Sequence, residues 1–77
     1  MAKKVTVYMA DWCHWCHKVV DFLNANKVPF EPKDVDDPAN AKESMKKSGQ
    51  AGIPVIDIDG EIVVGFDEKR LKELLDL

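Results

Sequence analysis

The sequence predicts a single α/β domain over residues 1–77, with element order β-α-β-α-β-β-α and a four-stranded mixed sheet flanked by three helices. Three observations carry that expectation. Short β-branched runs alternate with segments of helical period. A helix lies between the first two strands, and a crossover of that kind makes them parallel. The pair Asp59-Gly60 separates two apolar runs and marks a two-residue hairpin, so the last two strands are antiparallel.

The first strand is "KVTVYM", Lys4 to Met9, β-branched and apolar on both faces, as a central strand should be. From Cys13 to Asn26 the period becomes helical, with Cys16, Val19, Val20 and Leu23 at i, i+3, i+4 and i+7 and Asn26 as the stop. "PFEPKDV" reads as a second strand, and Pro32 puts it at an edge. In "DDPANAKESMKKSG" Asp37 is the N-cap of a second helix, Pro38 its first turn and Gly49 its C′ residue. "PVIDIDGEIVVG" forms the hairpin. "FDEKRLKELLDL" begins with acids, which favour a helix start, and places Leu71, Leu74 and Leu75 on one face.

Composition narrows the function. A net charge of −3 with dispersed basic residues argues against nucleic acid. No apolar run is long enough to span a membrane or serve as an export signal, so the chain is read as a cytoplasmic monomer. The cytosol is reducing, and a cysteine pair there is catalytic or metal-binding. Cys13 and Cys16 would close a loop of four residues, too short for their bridge to stabilise much.

Both cysteines, both histidines and both tryptophans fall in "DWCHWCHKVV", residues 11 to 20. Cys13 follows the first strand and opens the first helix. Sites in such sheets lie at the carboxyl ends of strands, and Cys-x-x-Cys beside a βαβ unit reads as a redox dithiol. Cys13, at the helix N-terminus, is the expected nucleophile, because free N–H groups and the helix dipole favour a thiolate. Cys16, one turn inward, is the expected resolving thiol. His14 is divided between a solvent-exposed helix residue and a functional one, stabilising the Cys13 thiolate as a cation or shuttling protons when neutral. His17 and Lys18 are read as surface residues near the site, Trp12 as packed beneath the active-site loop, and Phe66 as core. Trp15 is divided between a docking contact and structure. "CHWCH" also matches a haem attachment site, but the chain's elements leave no haem face. Cys13, Cys16 and His17 could share a helix face as soft ligands, so an iron–sulfur or zinc carrier, shared across a dimer, is the alternative. No second Cys or His pair completes such a site within one chain, and no resident metal is expected.

The segments "WCHWC" after the first strand, "GIPV" at the third and "GFD" after the fourth resemble the glutaredoxin branch of the thioredoxin superfamily, including NrdH-like redoxins. The resemblance covers nearly the whole chain and implies a thioredoxin-like fold and protein-disulfide reduction. It implies a cis Ile53-Pro54 bond facing the dithiol, with the backbone of Ile53 open to an extended substrate. It also implies substrate contacts from Gly65, Phe66 and Asp67, the last on the backbone of glutathione. The departures are His14-Trp15 where Pro-Tyr is usual, Gly52 where Thr is usual, no lysine just before Cys13, and Val64-Gly65 in place of a glycine pair. The resemblance therefore leaves two electron donors: glutathione as a loosely bound co-substrate, or a thioredoxin reductase.

Overall fold

The computed structural model describes residues 3–77; residues 1 and 2 of the expected domain lie outside the described residues. The elements are β1 (Val5–Met9), α1 (His14–Ala25), β2 (Glu31–Asp34), α2 (Pro38–Ser48), β3 (Val55–Ile58), β4 (Glu61–Val64) and α3 (Glu68–Leu75). Their order is the expected one. β2 is shorter than its apolar pattern suggested, because Pro29 and Phe30 precede the ladder.

The strands lie in the order β2-β1-β3-β4. β1 runs parallel to β2 and antiparallel to β3, which forms the hairpin with β4. Pro32 sits on the edge strand, where its missing N–H costs no ladder bond. Asp59 and Gly60 turn the hairpin at φ 50° and 94°, the positive values that a type I′ turn requires.

Because side chains alternate along a strand, the two faces of the sheet differ. One face holds Val5, Val7, Ile56 and Ile58, packed on Val19 and Leu23 of α1 and Leu71 of α3. Among the described residues this is the main apolar core. The opposite face, under α2, holds Thr6, Tyr8, Lys33 and Asp57. There α2 is tied to the sheet by ion pairs, Lys33–Glu43 at 2.9 Å and Lys47–Asp57 at 2.7 Å. The Lys33 and Lys47 ammonium groups lie 5.9 and 5.5 Å from the centre of the Tyr8 ring. Asp37 caps α2 through Ala39 N–H, and Gly49 ends it in the left-handed conformation. Among the described residues no helix is long and apolar enough to cross a membrane.

Candidate active site

The chain leaves β1 at Met9 and turns through a Cys13 N–H bond to the Ala10 carbonyl at 3.0 Å. Cys13 is not the first helical residue, as the periodicity suggested, but the N-cap of α1. It takes extended dihedrals (φ −89°, ψ 107°), and its Sγ accepts the Cys16 N–H at 3.2 Å. The reason is the orphan N–H groups of a helix start, which need an acceptor from outside the helix. Cys13 and Cys16 are joined by a disulfide, with their Cα atoms 5.2 Å apart. Cys13 keeps 8% of its surface exposed and Cys16 keeps none. Met9, Ala10, Val35 and Ile53 pack around the pair.

The flanking aromatics correct one expectation. Trp12 does not pack beneath the loop. It is 69% exposed, and its indole N–H donates to Asp36 Oδ1 at 3.1 Å. The space below the loop is already filled by the small apolar cluster around Cys16, so the large ring lies outside. Trp15 is 57% exposed, with the His14 ring edge-on to it at 6.0 Å and the Lys18 ammonium 5.8 Å from its centre. His14 is exposed on the same turn. His17 is exposed too, but its Nε2 lies 2.7 Å from the Asp11 carbonyl oxygen. That contact braces the turn and occupies Nε2. Among the described residues no group of three or more His, Cys, Asp or Glu is placed to hold a metal ion.

Across from the dithiol, the Ile53-Pro54 peptide is cis. Pro54 is buried and Ile53 half-buried. The Pro54 carbonyl accepts the Gly65 N–H at 2.8 Å, which fastens the end of β4 to this segment. Among the described residues neither backbone polar group of Ile53 has a hydrogen-bond partner. Trp15, Ile53, Pro54, Gly65 and Phe66 line an apolar groove of about 250 Å³. Phe66 is thus both core and wall: it stacks edge-on against Phe22 at 5.8 Å and faces the groove. Asp67 begins α3 as its N-cap, with Oδ1 accepting the Arg70 N–H at 3.1 Å.

Two features escaped the sequence reading. Gln50 clamps the approach to Pro54: its side-chain oxygen accepts the Gly52 N–H at 2.6 Å and its amide donates to the Gly52 carbonyl at 2.9 Å. A Cβ on Gly52 would lie 2.6 Å from that side-chain oxygen. A Thr at position 52 would therefore require the Gln50 side chain to shift. The second feature is another apolar pocket, on the far side of Ile53, between Trp12, Val35, Met45 and Ala51. Its sequence signal is Met45, a large apolar residue on a helix whose other apolar residues are only Pro and Ala.

Comparison with known proteins places this geometry. The family model for glutaredoxin matches residues 5–63. An uncharacterized glutaredoxin-like 8.6 kDa protein from the rubredoxin operon of Clostridium pasteurianum is 34% identical over 73 residues, covering 94% of this chain and 97% of that protein. Glutaredoxin 3 of Escherichia coli K12 is 32% identical over 65 residues, covering 83% of this chain and 78% of its own. The crystal structure of a glutaredoxin (grx-1) from Archaeoglobus fulgidus is similar with a TM-score of 0.86 at 27% identity, covering 94% of this chain and 85% of that one. The match runs from β1 through the dithiol and the cis proline into β4, and with it the fold, the cysteine pair and the thiol-disulfide redox role agree: the chain belongs to the glutaredoxin family of the thioredoxin superfamily.

Proposed function

We propose that the protein reduces disulfides in the cytoplasm, with Cys13 as nucleophile, Cys16 as resolving thiol and a thioredoxin reductase as electron donor. The observation that carries the assignment of roles is the asymmetry of the pair: Cys13, at the helix N-terminus, keeps 8% of its surface exposed, and Cys16 is fully buried behind it. In the reduced protein the Cys13 thiolate attacks one sulfur of the substrate disulfide. A Cys13–substrate bond forms, the substrate S–S bond breaks, and the departing thiolate takes up a proton. Cys16 then loses its proton and attacks Cys13 Sγ, which forms the internal disulfide and releases the second substrate thiol. Two electrons pass to the substrate, and the donor returns two.

The free N–H and C=O of Ile53 suit an extended substrate segment, which would add as a short strand. Pro54, Gly65 and Phe66 form the wall beside it, and Trp15, with His14, forms the rim. The choice of donor rests on charge. Glutathione carries two carboxylates against one ammonium; neither groove beside the dithiol is lined by Lys or Arg, and Lys18 nearby lies over the Trp15 ring. Asp67 remains the group available to the glutathione ammonium, although one of its oxygens is committed to the helix cap.

The test has two parts. Cys13→Ser should abolish disulfide reduction, and Cys16→Ser should accumulate mixed disulfides visible by mass spectrometry; full dithiol activity in Cys13→Ser would overturn the assignment. The oxidised protein should then be offered NADPH with thioredoxin reductase, or glutathione with its reductase. Faster reduction by the glutathione system would reverse the choice of donor.

A further inference from the structure

The turn that carries the chain from β1 to Cys13 is held from α1 by His17. Cys13 N–H closes that turn on the Ala10 carbonyl, so Asp11 and Trp12 are its central residues. The peptide between them is the unit whose rotation distinguishes one turn type from another. Its carbonyl oxygen, on Asp11, lies 2.7 Å from His17 Nε2. A carbonyl only accepts, so Nε2 carries the proton, in the neutral ring and in the charged ring alike. Among the described residues no backbone N–H outside the helices and strands reaches this oxygen. The His17 backbone N–H donates to the Cys13 carbonyl at 3.3 Å, so one residue holds the carbonyls on either side of Trp12. Cys13 Sγ accepts the Cys16 N–H at 3.2 Å, a bond that lasts only while Cys13 stays at the helix end.

We propose that His17 is a positioning residue for thiol exchange: its ring N–H pins the central peptide of the Ala10–Cys13 turn and so keeps the Cys13 thiolate against the Cys16 N–H. The inference rests on the dithiol reading above, with Cys13 as nucleophile, and adds to it a residue that acts through the backbone. A donor lowers a thiol pKa only while it stays in place. With the central peptide free to rotate, Cys13 leaves the cap for part of the time, and its thiol titrates nearer the ordinary value of about 8.5. Charge on the imidazole is not required, because the neutral ring donates the same bond.

The experiment follows alkylation of the reduced full chain by iodoacetamide from about pH 5 to about pH 10, a range that spans the ordinary thiol titration. The Cys13 thiolate attacks the methylene carbon and iodide leaves. Peptide mapping by mass spectrometry shows which cysteine carries the added group. His17→Leu removes the donor and keeps the bulk, whereas His17→Gln keeps a neutral donor. At neutral pH His17→Leu should react about threefold to tenfold more slowly than wild type, the size of one hydrogen bond. The midpoint of its pH profile should move upward, and the rates should converge where the thiol is fully ionised. His17→Gln should recover most of the loss. His17 is exposed, so both variants should keep the wild-type circular dichroism spectrum. A purely structural role would lower the melting temperature without moving the midpoint. That result, or a His17→Leu profile that overlies the wild-type one, overturns the inference. A His17→Gln profile as displaced as that of His17→Leu also overturns it, because the deficit then belongs to the imidazole and not to the turn. Modification of Cys16 ahead of Cys13 sinks the dithiol assignment, and the role of His17 with it. Modification of Cys13 with an unmoved profile sinks the role of His17 alone.

Discussion

Cys13 Sγ accepts the Cys16 amide, so the sulfur assigned as nucleophile also holds the first turn of α1. The i, i+3 spacing at a strand-to-helix junction was legible from Cys-x-x-Cys after a strand; the capping of α1 by Sγ was not. The surroundings were less legible. Nothing in local sequence says that Met9, Ala10, Val35 and Ile53 fill the space that Trp12 would otherwise take. Gln50 was hidden for the same reason, since its role depends on a loop returning to itself. It is a positioning residue, bonded to both backbone polar groups of Gly52 next to Ile53. Gln50→Ala should raise KM for a protein disulfide about threefold to tenfold, equivalent to about 0.7–1.4 kcal/mol, the size of one or two hydrogen bonds. The reactivity of Cys13 toward iodoacetamide should stay at the wild-type rate. A fall in that rate would place Gln50 in the thiol's own environment.

The elements were read well where a cap or turn marks them. Asp37, Gly49 and the Asp59-Gly60 turn all act as their residue types predict. Gly49 sits at φ 71° with open space where a Cβ would be, so strain alone sets the cost of substitution. Gly49→Ala should lower stability by about 1 kcal/mol in urea denaturation. An increase would show that the helix end relaxes. Strand ends were read less well, because "PF" before β2 is apolar without being paired.

The bond between α2 and the sheet has a pH signature. Burial pushes the Asp57 carboxyl upward, but the Lys47 ammonium, the Gly60 N–H and Lys4 outweigh it and hold it below the ordinary value of 3.8. Lys47 is held above its ordinary range, first by its bond to Asp57. A carboxyl depressed in the folded state adds stability that is complete above its unfolded pKa and disappears as pH falls through the folded one. Thermal unfolding should therefore show wild type losing stability below about pH 4. Asp57→Asn should lose less over the same interval, and parallel curves would remove Asp57 as the cause.

For the molecule as a whole, β1 and β3 carry the main core between them and α1 and α3. Pattern alone showed that β1 is central and that β3 and β4 pair. The antiparallel contact of β1 with β3 joins residues about fifty positions apart in sequence, and that long-range choice leaves no local mark. Leu71 is the contribution of α3 to this core and is fully buried. Leu71→Ala should cost about 2–5 kcal/mol, a large share of the 5–15 kcal/mol typical of a domain. A loss under 1 kcal/mol in denaturant titration would mean that α3 is not held by the core.

The unlike faces of the sheet make the two sides of the dithiol respond differently to ionic strength. Salt screens the ion pairs that fasten α2, and leaves the apolar contacts beneath α1 and α3 intact or strengthened. Ala41, Ser44 and Met45, three walls of the pocket beside Trp12, ride on α2, whereas the Phe66 groove has no wall there. Electrolyte concentration thus acts on one bank of the active site and spares the other.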